Sequence, residues 1–124
     1  MTIGKSREDY LEAIFVLKKR AGFVRSVDVA HHLKITQASV CKMMRVLEEE
    51  NYIVKLPAPP YLLSLTEKGR LVAEQVYERH CFFCELLVGA GVDEETAERE
   101  ACELEHAISP KSFRLLSDAV RSRR

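Results

Sequence analysis

The sequence predicts a mainly α-helical fold carrying one small β hairpin, and three observations lead to it. Apolar residues recur at helical spacing through most of the chain, two short β-rich runs flank a proline-rich turn near its middle, and a capping residue stands ahead of each helical segment. Three helical segments, then the hairpin, then three more, make an N-terminal winged helix-turn-helix over residues 1–65 and a second, helical domain over residues 66–124.

In the first helix Tyr10, Ile14 and Leu17, flanked by Leu11 and Phe15, keep helical spacing; Ser6 is the expected cap, Asp9 falls in the first turn, and Gly22 closes it. "SVDVAHHL" is a short second helix with Ser26 as cap, ending at "KIT". Thr36 caps the third, "QASVCKMMRVLEEENY", whose stripe of Val40, Met43, Met44 and Leu47 belongs in a core. Small and polar residues lead its other face, which suits a DNA groove: Thr36, Gln37 and Ser39 can reach phosphates, and Ala38, Lys42 and Arg45 the groove itself. "YIVKL" and "YLLSL" are strands around "PAPP", the wing. Thr66 then caps a long fourth helix that breaks at Gly89 and Gly91, Asp93 starts a fifth, and Ser109 with Pro110 opens the last.

Charged residues make up 31% of the 124, nineteen acidic and nineteen basic, so only a local patch could favour nucleic acid. The charge is uneven, with seven carboxylates against one arginine from Asp93 to Glu105 and a basic "RSRR" at the end. No apolar run is long enough for a membrane span and the N-terminus lacks a signal pattern, which predicts a cytoplasmic protein. In that reducing compartment the four cysteines are expected as free thiols or metal ligands rather than disulfides.

The stretch "EACELEH" sets Cys102, Glu105 and His106 at i, i+3 and i+4. Ala97, Ala101, Leu104 and Ile108 are the expected core stripe of this fifth helix, with Glu98, Cys102, Glu105 and His106 on a second stripe beside it. The fourth helix offers His80 and Cys84 one turn apart. Cys81 and Cys84 form a C-x-x-C without the second ligand pair of a zinc site or a thioredoxin-like context, so Cys81 reads as a packing residue. Asp9 and Glu12 share a face of the first helix, and His31 and His32 read as surface or partly packed residues. Each group alone is an ordinary helix surface. Together they combine hard oxygens, imidazoles and a thiolate, a set suited to a divalent transition metal. The chain has no G-x-S-x-G, no phosphate-cradling glycine loop and no H-E-x-x-H, so no enzyme is predicted.

Taken in order, "EDYLEAIFVL", "ITQASVCKMMRVLEEENYI", "LTEKGR", "ERH" and "EACELEH" followed by "ISP" resemble the diphtheria-toxin-repressor and manganese-transport-repressor family of metal-dependent transcription factors. The resemblance spans nearly the whole chain. It implies a winged-helix domain followed by a dimerisation domain, and a homodimer that binds double-stranded operator DNA when Mn(II) or Fe(II) occupies sites between the two, with Co(II) or Zn(II) as substitutes. It also implies the ligands. Asp9 and Glu12 match the manganese branch, Cys102 the iron branch, and His80, Glu105 and His106 both; Cys84 and Glu98 fall at ancillary positions. The wing "LPAPPY" lacks a basic tip, so a small share of the DNA contact is expected from it. Two other readings remain: a metal-independent winged-helix regulator with vestigial ligands, and a metal-binding protein that does not bind DNA.

Overall fold

The structure, a computed structural model, describes residues 3–123. Lys5–Glu74 form one compact unit, and the residues from Gln75 on form another. The first unit holds α1 (Lys5–Ala21), α2 (Ser26–Leu33), α3 (Gln37–Glu49), β1 (Ile53–Lys55) and β2 (Leu63–Leu65). Helix α4 (Glu67–Gly89) begins there and continues into the second unit, which adds α5 (Glu94–Ala107) and α6 (Pro110–Arg121).

Burial follows the apolar stripes. Leu11 and Ile14 of α1, Val29 of α2, and Val40, Met44 and Leu47 of α3 are buried together with Ile53 and Leu63 of the strands. Each such aliphatic side chain contributes about 1.5–3 kcal/mol relative to leaving it in water. The strands pair antiparallel, Ile53 opposite Leu65 and Lys55 opposite Leu63. A further hydrogen bond from Leu63 N–H to the Val24 carbonyl, 2.8 Å, ties the wing to the segment between α1 and α2.

The helix starts differ from expectation at two places. Ser6 lies inside α1, which begins at Lys5 directly after Gly4, at φ 105°, and Glu8 rather than Asp9 stands in the first turn. Ser26 is likewise the first residue of α2, not its cap. The Asp28 carboxylate reaches back to the Arg25 N–H at 2.9 Å and so sets the boundary one residue earlier. The turn between α2 and α3 is closed by Lys34 at φ 58° and by Ile35 N–H donating to the Ala30 carbonyl. Thr36 then caps α3 as expected, its hydroxyl accepting the Ser39 N–H at 3.1 Å. Helix α3 stops at Glu49, short of Tyr52, because Asn51 turns the chain with φ 65°.

In the second unit Phe82, Phe83 and Phe113 meet edge-on or tilted, their ring centroids 5.3–6.1 Å apart, over the small Ala101. Asp93 and Ser109 cap α5 and α6 by accepting the N–H groups of Thr96 and Ser112. The core stripe of α5 is Ala97, Ala101 and Glu105, which corrects the expected place of Leu104: it is 40% exposed, while Glu105 is fully buried. Positions 104 and 105 flank residue 101 by about 60° on one side and about 40° on the other, so both fit the period. Side-chain chemistry alone favours the leucine. The structure favours the carboxylate because His80 and His106 supply partners for it.

Candidate metal centre and DNA-binding face

Helix α4 turns a stripe of Ala73, Val76, His80 and Phe83 in one direction, three or four residues apart, and the imidazole occupies a position between apolar neighbours. Its side chain is 12% exposed. On α5 the Glu105 carboxylate is fully buried and Cys102 half-buried. These three groups converge, with donor atoms all within 4.8 Å of one another. His80 Nδ1 lies 3.0 Å from Glu105 Oε2 and 3.8 Å from Cys102 Sγ.

The other ring nitrogen faces a second pair. His80 Nε2 lies 2.7 Å from Glu98 Oε2, and the Cys84 thiol donates to Glu98 Oε1 over 3.6 Å. Both expected ancillary positions are therefore grouped on the Nε2 side of the same histidine. Cys84 also packs against the phenylalanine cluster, so its sulfur has a structural role as well. Coulombic repulsion from Glu98 and, above all, burial hold its thiol pKa up. Cys81 is half-buried and belongs to neither group, in keeping with a packing residue.

With both nitrogens opposite carboxylates, His80 can donate to Glu105 and Glu98 at once only as an imidazolium. The hydrogen bond with Cys102 and then that with Glu105 push its pKa up to about 12, against burial, which lowers it. His106 follows directly on α5, its buried side chain placing Nε2 3.2 Å from Glu105 Oε1. The buried carboxylate thus has a histidine at each oxygen.

One contributor escaped the sequence reading. Arg79, 4% exposed, donates from Nε to the Glu105 backbone carbonyl at 2.8 Å. That carbonyl lies in the last turn of α5, where it has no partner within the helix, and a cation there also suits the helix dipole. Arg79 looks like a surface residue in "ERH"; only its place next to the buried stripe of α4 hints otherwise.

A divalent ion fits this donor set. An imidazole, a thiolate and a carboxylate within 4.8 Å of one another match the spacing of donors that each sit about 2.0–2.3 Å from one metal. When bound, the cation supplies the positive charge that the His80 proton supplies here. Asp9 and Glu12 are half-buried on α1 of the first unit.

In the first unit all six expected DNA-facing residues, Thr36, Gln37, Ala38, Ser39, Lys42 and Arg45, are exposed, while the opposite face of α3 is core. The Thr36 hydroxyl is partly committed to its cap and also donates to Ser39 Oγ at 2.9 Å. On the wing Val54, Leu56 and Tyr61 are exposed beside Lys55, whose ammonium lies 5.6 Å over the Tyr61 ring.

Comparison with known proteins matches two family models along the chain. Residues 2–58 match the family model described as the iron dependent repressor N-terminal DNA binding domain, and residues 66–123 match the iron dependent repressor metal binding and dimerisation domain. Over 115 residues the chain is 33% identical to the HTH-type transcriptional regulator MntR of Geobacillus kaustophilus, covering 93% of this chain and 80% of that protein. It is 35% identical over 113 residues to the HTH-type transcriptional regulator MJ0568 of Methanocaldococcus jannaschii, covering 86% of each. Among solved structures the manganese regulator SloR superposes with a TM-score of 0.77 at 24% identity over 93% of this chain, a likeness that shows the fold. The chain spans about half of that protein, 53% of its length. The chain belongs to the iron-dependent repressor family of metal-dependent transcriptional regulators.

Proposed function

We propose that this protein is a homodimeric repressor of metal-ion homeostasis genes that binds double-stranded operator DNA in the cytoplasm once Mn(II) or Fe(II) is bound. Residues 1–65 would read the DNA and residues 66–124 would dimerise and carry metal ligands. The observation that carries the reading is the convergence of His80, Cys102 and the fully buried Glu105. Burying a carboxylate this completely is costly unless a positive charge accompanies it, and a proton on His80 or a divalent cation can fill that role. The full ligand set proposed is Asp9, Glu12, His80, Cys102, Glu105 and His106, with Cys84 and Glu98 as an ancillary pair. Asp9 and Glu12 enter on the family pattern. Their hard oxygens favour Mn(II) and the Cys102 thiolate favours Fe(II), Co(II) or Zn(II), so weak discrimination among these ions is expected.

The deciding experiment is a mobility shift on the DNA upstream of the protein's own gene, with EDTA, Mn(II), Fe(II), Co(II) and Zn(II) in turn. A shift that appears with Mn(II) or Fe(II) and disappears with EDTA supports the reading; binding insensitive to chelator contradicts it. In the same assay Lys42→Ala or Arg45→Ala should weaken operator binding by about 1–3 kcal/mol and leave metal affinity unchanged, as expected for groove contacts. Unaltered DNA affinity in both variants would place the reading head elsewhere.

A further inference from the structure

Helices α2, α4 and α6 close their last turns with N–H groups of the chain that follows them: Lys34 N–H donates to the Ala30 carbonyl, Val92 N–H to that of Leu87 and Ser122 N–H to that of Asp118. Helix α5 ends differently. Ile108 leaves it extended, at φ −117° and ψ 140°, and Pro110, two residues on, has no N–H to give. The Arg79 guanidinium of α4 takes that place, its Nε donating to the Glu105 carbonyl at 2.8 Å from a side chain only 4% exposed. The next residue of α4, His80, meets the carboxylate of the same Glu105 at 3.0 Å. Consecutive residues of α4 therefore fix Glu105 at both its backbone and its side chain. His106 follows at once, whereas Cys102 lies nearly one turn earlier, where the hydrogen bonds of α5 itself hold it. All these residues belong to the second unit.

We propose that Arg79 is a positioning residue of the metal centre: by closing the last turn of α5 from α4, it keeps Glu105 and His106 in place as ligands and so sustains the affinity of the site for a hard cation. The inference rests on the functional reading above, in which His80, Cys102, Glu105 and His106 hold the ion. A helix whose last carbonyls lose their partners frays from that end. The ligands in the last turn of α5 are a carboxylate and an imidazole, and the thiolate sits behind them in the body of the helix. Loss of the Arg79 hydrogen bond therefore loosens oxygen before sulfur. That harms Mn(II), a hard ion, more than Co(II), which accepts a thiolate well. The Arg79 Nε meets the backbone carbonyl of Glu105, so its effect passes through the helical turn rather than through the ligating carboxylate.

The test compares wild type, Arg79→Met and Arg79→Gln in the full chain. Methionine puts a methyl group, and glutamine an amide nitrogen that can still donate, at the place of the arginine Nε. Each protein is titrated with Mn(II) and with Co(II), and the ratio of the two Kd values is read. In Arg79→Met the Mn(II) Kd should rise by roughly tenfold or more, the scale on which groups behind the ligands act. The Co(II) Kd should rise by no more than about threefold, with the cobalt–thiolate band kept. Arg79→Gln should recover most of the Mn(II) loss. An unchanged Mn(II) Kd in Arg79→Met, an equal rise in both Kd values as general loosening of the fold would give, or a glutamine variant no better than the methionine one overturns the inference. Should Arg79→Met not fold, Arg79→Lys, which keeps the charge but carries its donor one atom further out, takes its place and should show the same split at smaller size; an unchanged ratio there overturns the inference likewise. A wild-type protein that binds neither ion overturns the functional reading and this inference with it, whereas one that binds both, without the split in the variants, overturns the inference alone.

Discussion

His80 carries a proton that the unfolded chain would release above its ordinary pKa of 6.5, because Cys102, Glu105 and Glu98 together hold the folded value up near 12. A group with a raised folded pKa stabilises fully below the unfolded value and loses that contribution as pH rises towards the folded one. The metal-free protein should therefore lose stability steadily above about pH 6.5, and a chelated sample scanned from about pH 7 to about pH 9 should show a falling melting temperature. His80→Gln should flatten that slope; an equally steep slope in the variant would assign the proton to another group. Metal must displace this proton, so metal affinity should rise with pH over the same window. The second residue to test is Cys102, whose sulfur lies in the His80 and Glu105 cluster while Cys81 does not. Co(II) loaded into the protein should give a thiolate-to-metal charge-transfer band that Cys102→Ser abolishes and Cys81→Ser retains. A band that survives loss of Cys102 would make that cysteine a packing residue.

At the scale of elements, Gly69 shows how closely α4 is fitted to the chain leaving α3. Gly69→Ala would drive a methyl group to 2.0 Å from the Tyr52 carbonyl oxygen, backbone that cannot swing aside. It should cost about 3 kcal/mol or more in denaturant unfolding, at the upper end of overpacking effects; a loss under about 1 kcal/mol would show that the junction can shift. Nothing in "LTEKGR" announces this contact, since a glycine early in a helix reads only as a weak helix former. The caps at Thr36, Thr66, Asp93 and Ser109 were legible because each places an oxygen where helix N–H groups need one. Ser6 and Ser26 carry the same chemistry and are not caps, for the first helical residue is decided by neighbours, Gly4 in one case and Asp28 in the other. The candidate site was legible in the same partial way. Spacing grouped Cys102, Glu105 and His106, but whether Leu104 or Glu105 turns inward depended on His80 of another helix, which periodicity along one helix does not register.

At the scale of the whole molecule, a chain of zero formal net charge gains no general attraction to DNA, which favours two reading helices acting together. The second unit offers the means, since residues 66–123 match a dimerisation domain. It also leaves apolar side chains in water: Leu86 and Val88 of α4, Leu104 of α5, and Leu115 and Leu116 of α6 are all exposed, Leu115 at 62%. A protein that stayed a monomer would gain nothing from such a surface, and its burial against a second copy would also explain why Leu104 stays at the surface of α5. Leu115→Glu should therefore weaken the dimer by about 2 kcal/mol or more, as loss of a central anchor does. The stability of the single chain should change by no more than about 0.5 kcal/mol, because the side chain is exposed within it. Light scattering at micromolar concentration should show a wild-type dimer and a largely monomeric variant, and operator affinity should drop with the dimer. A variant that remains dimeric would move the interface away from α6, and a wild-type monomer with and without metal would refute pairing through this unit altogether.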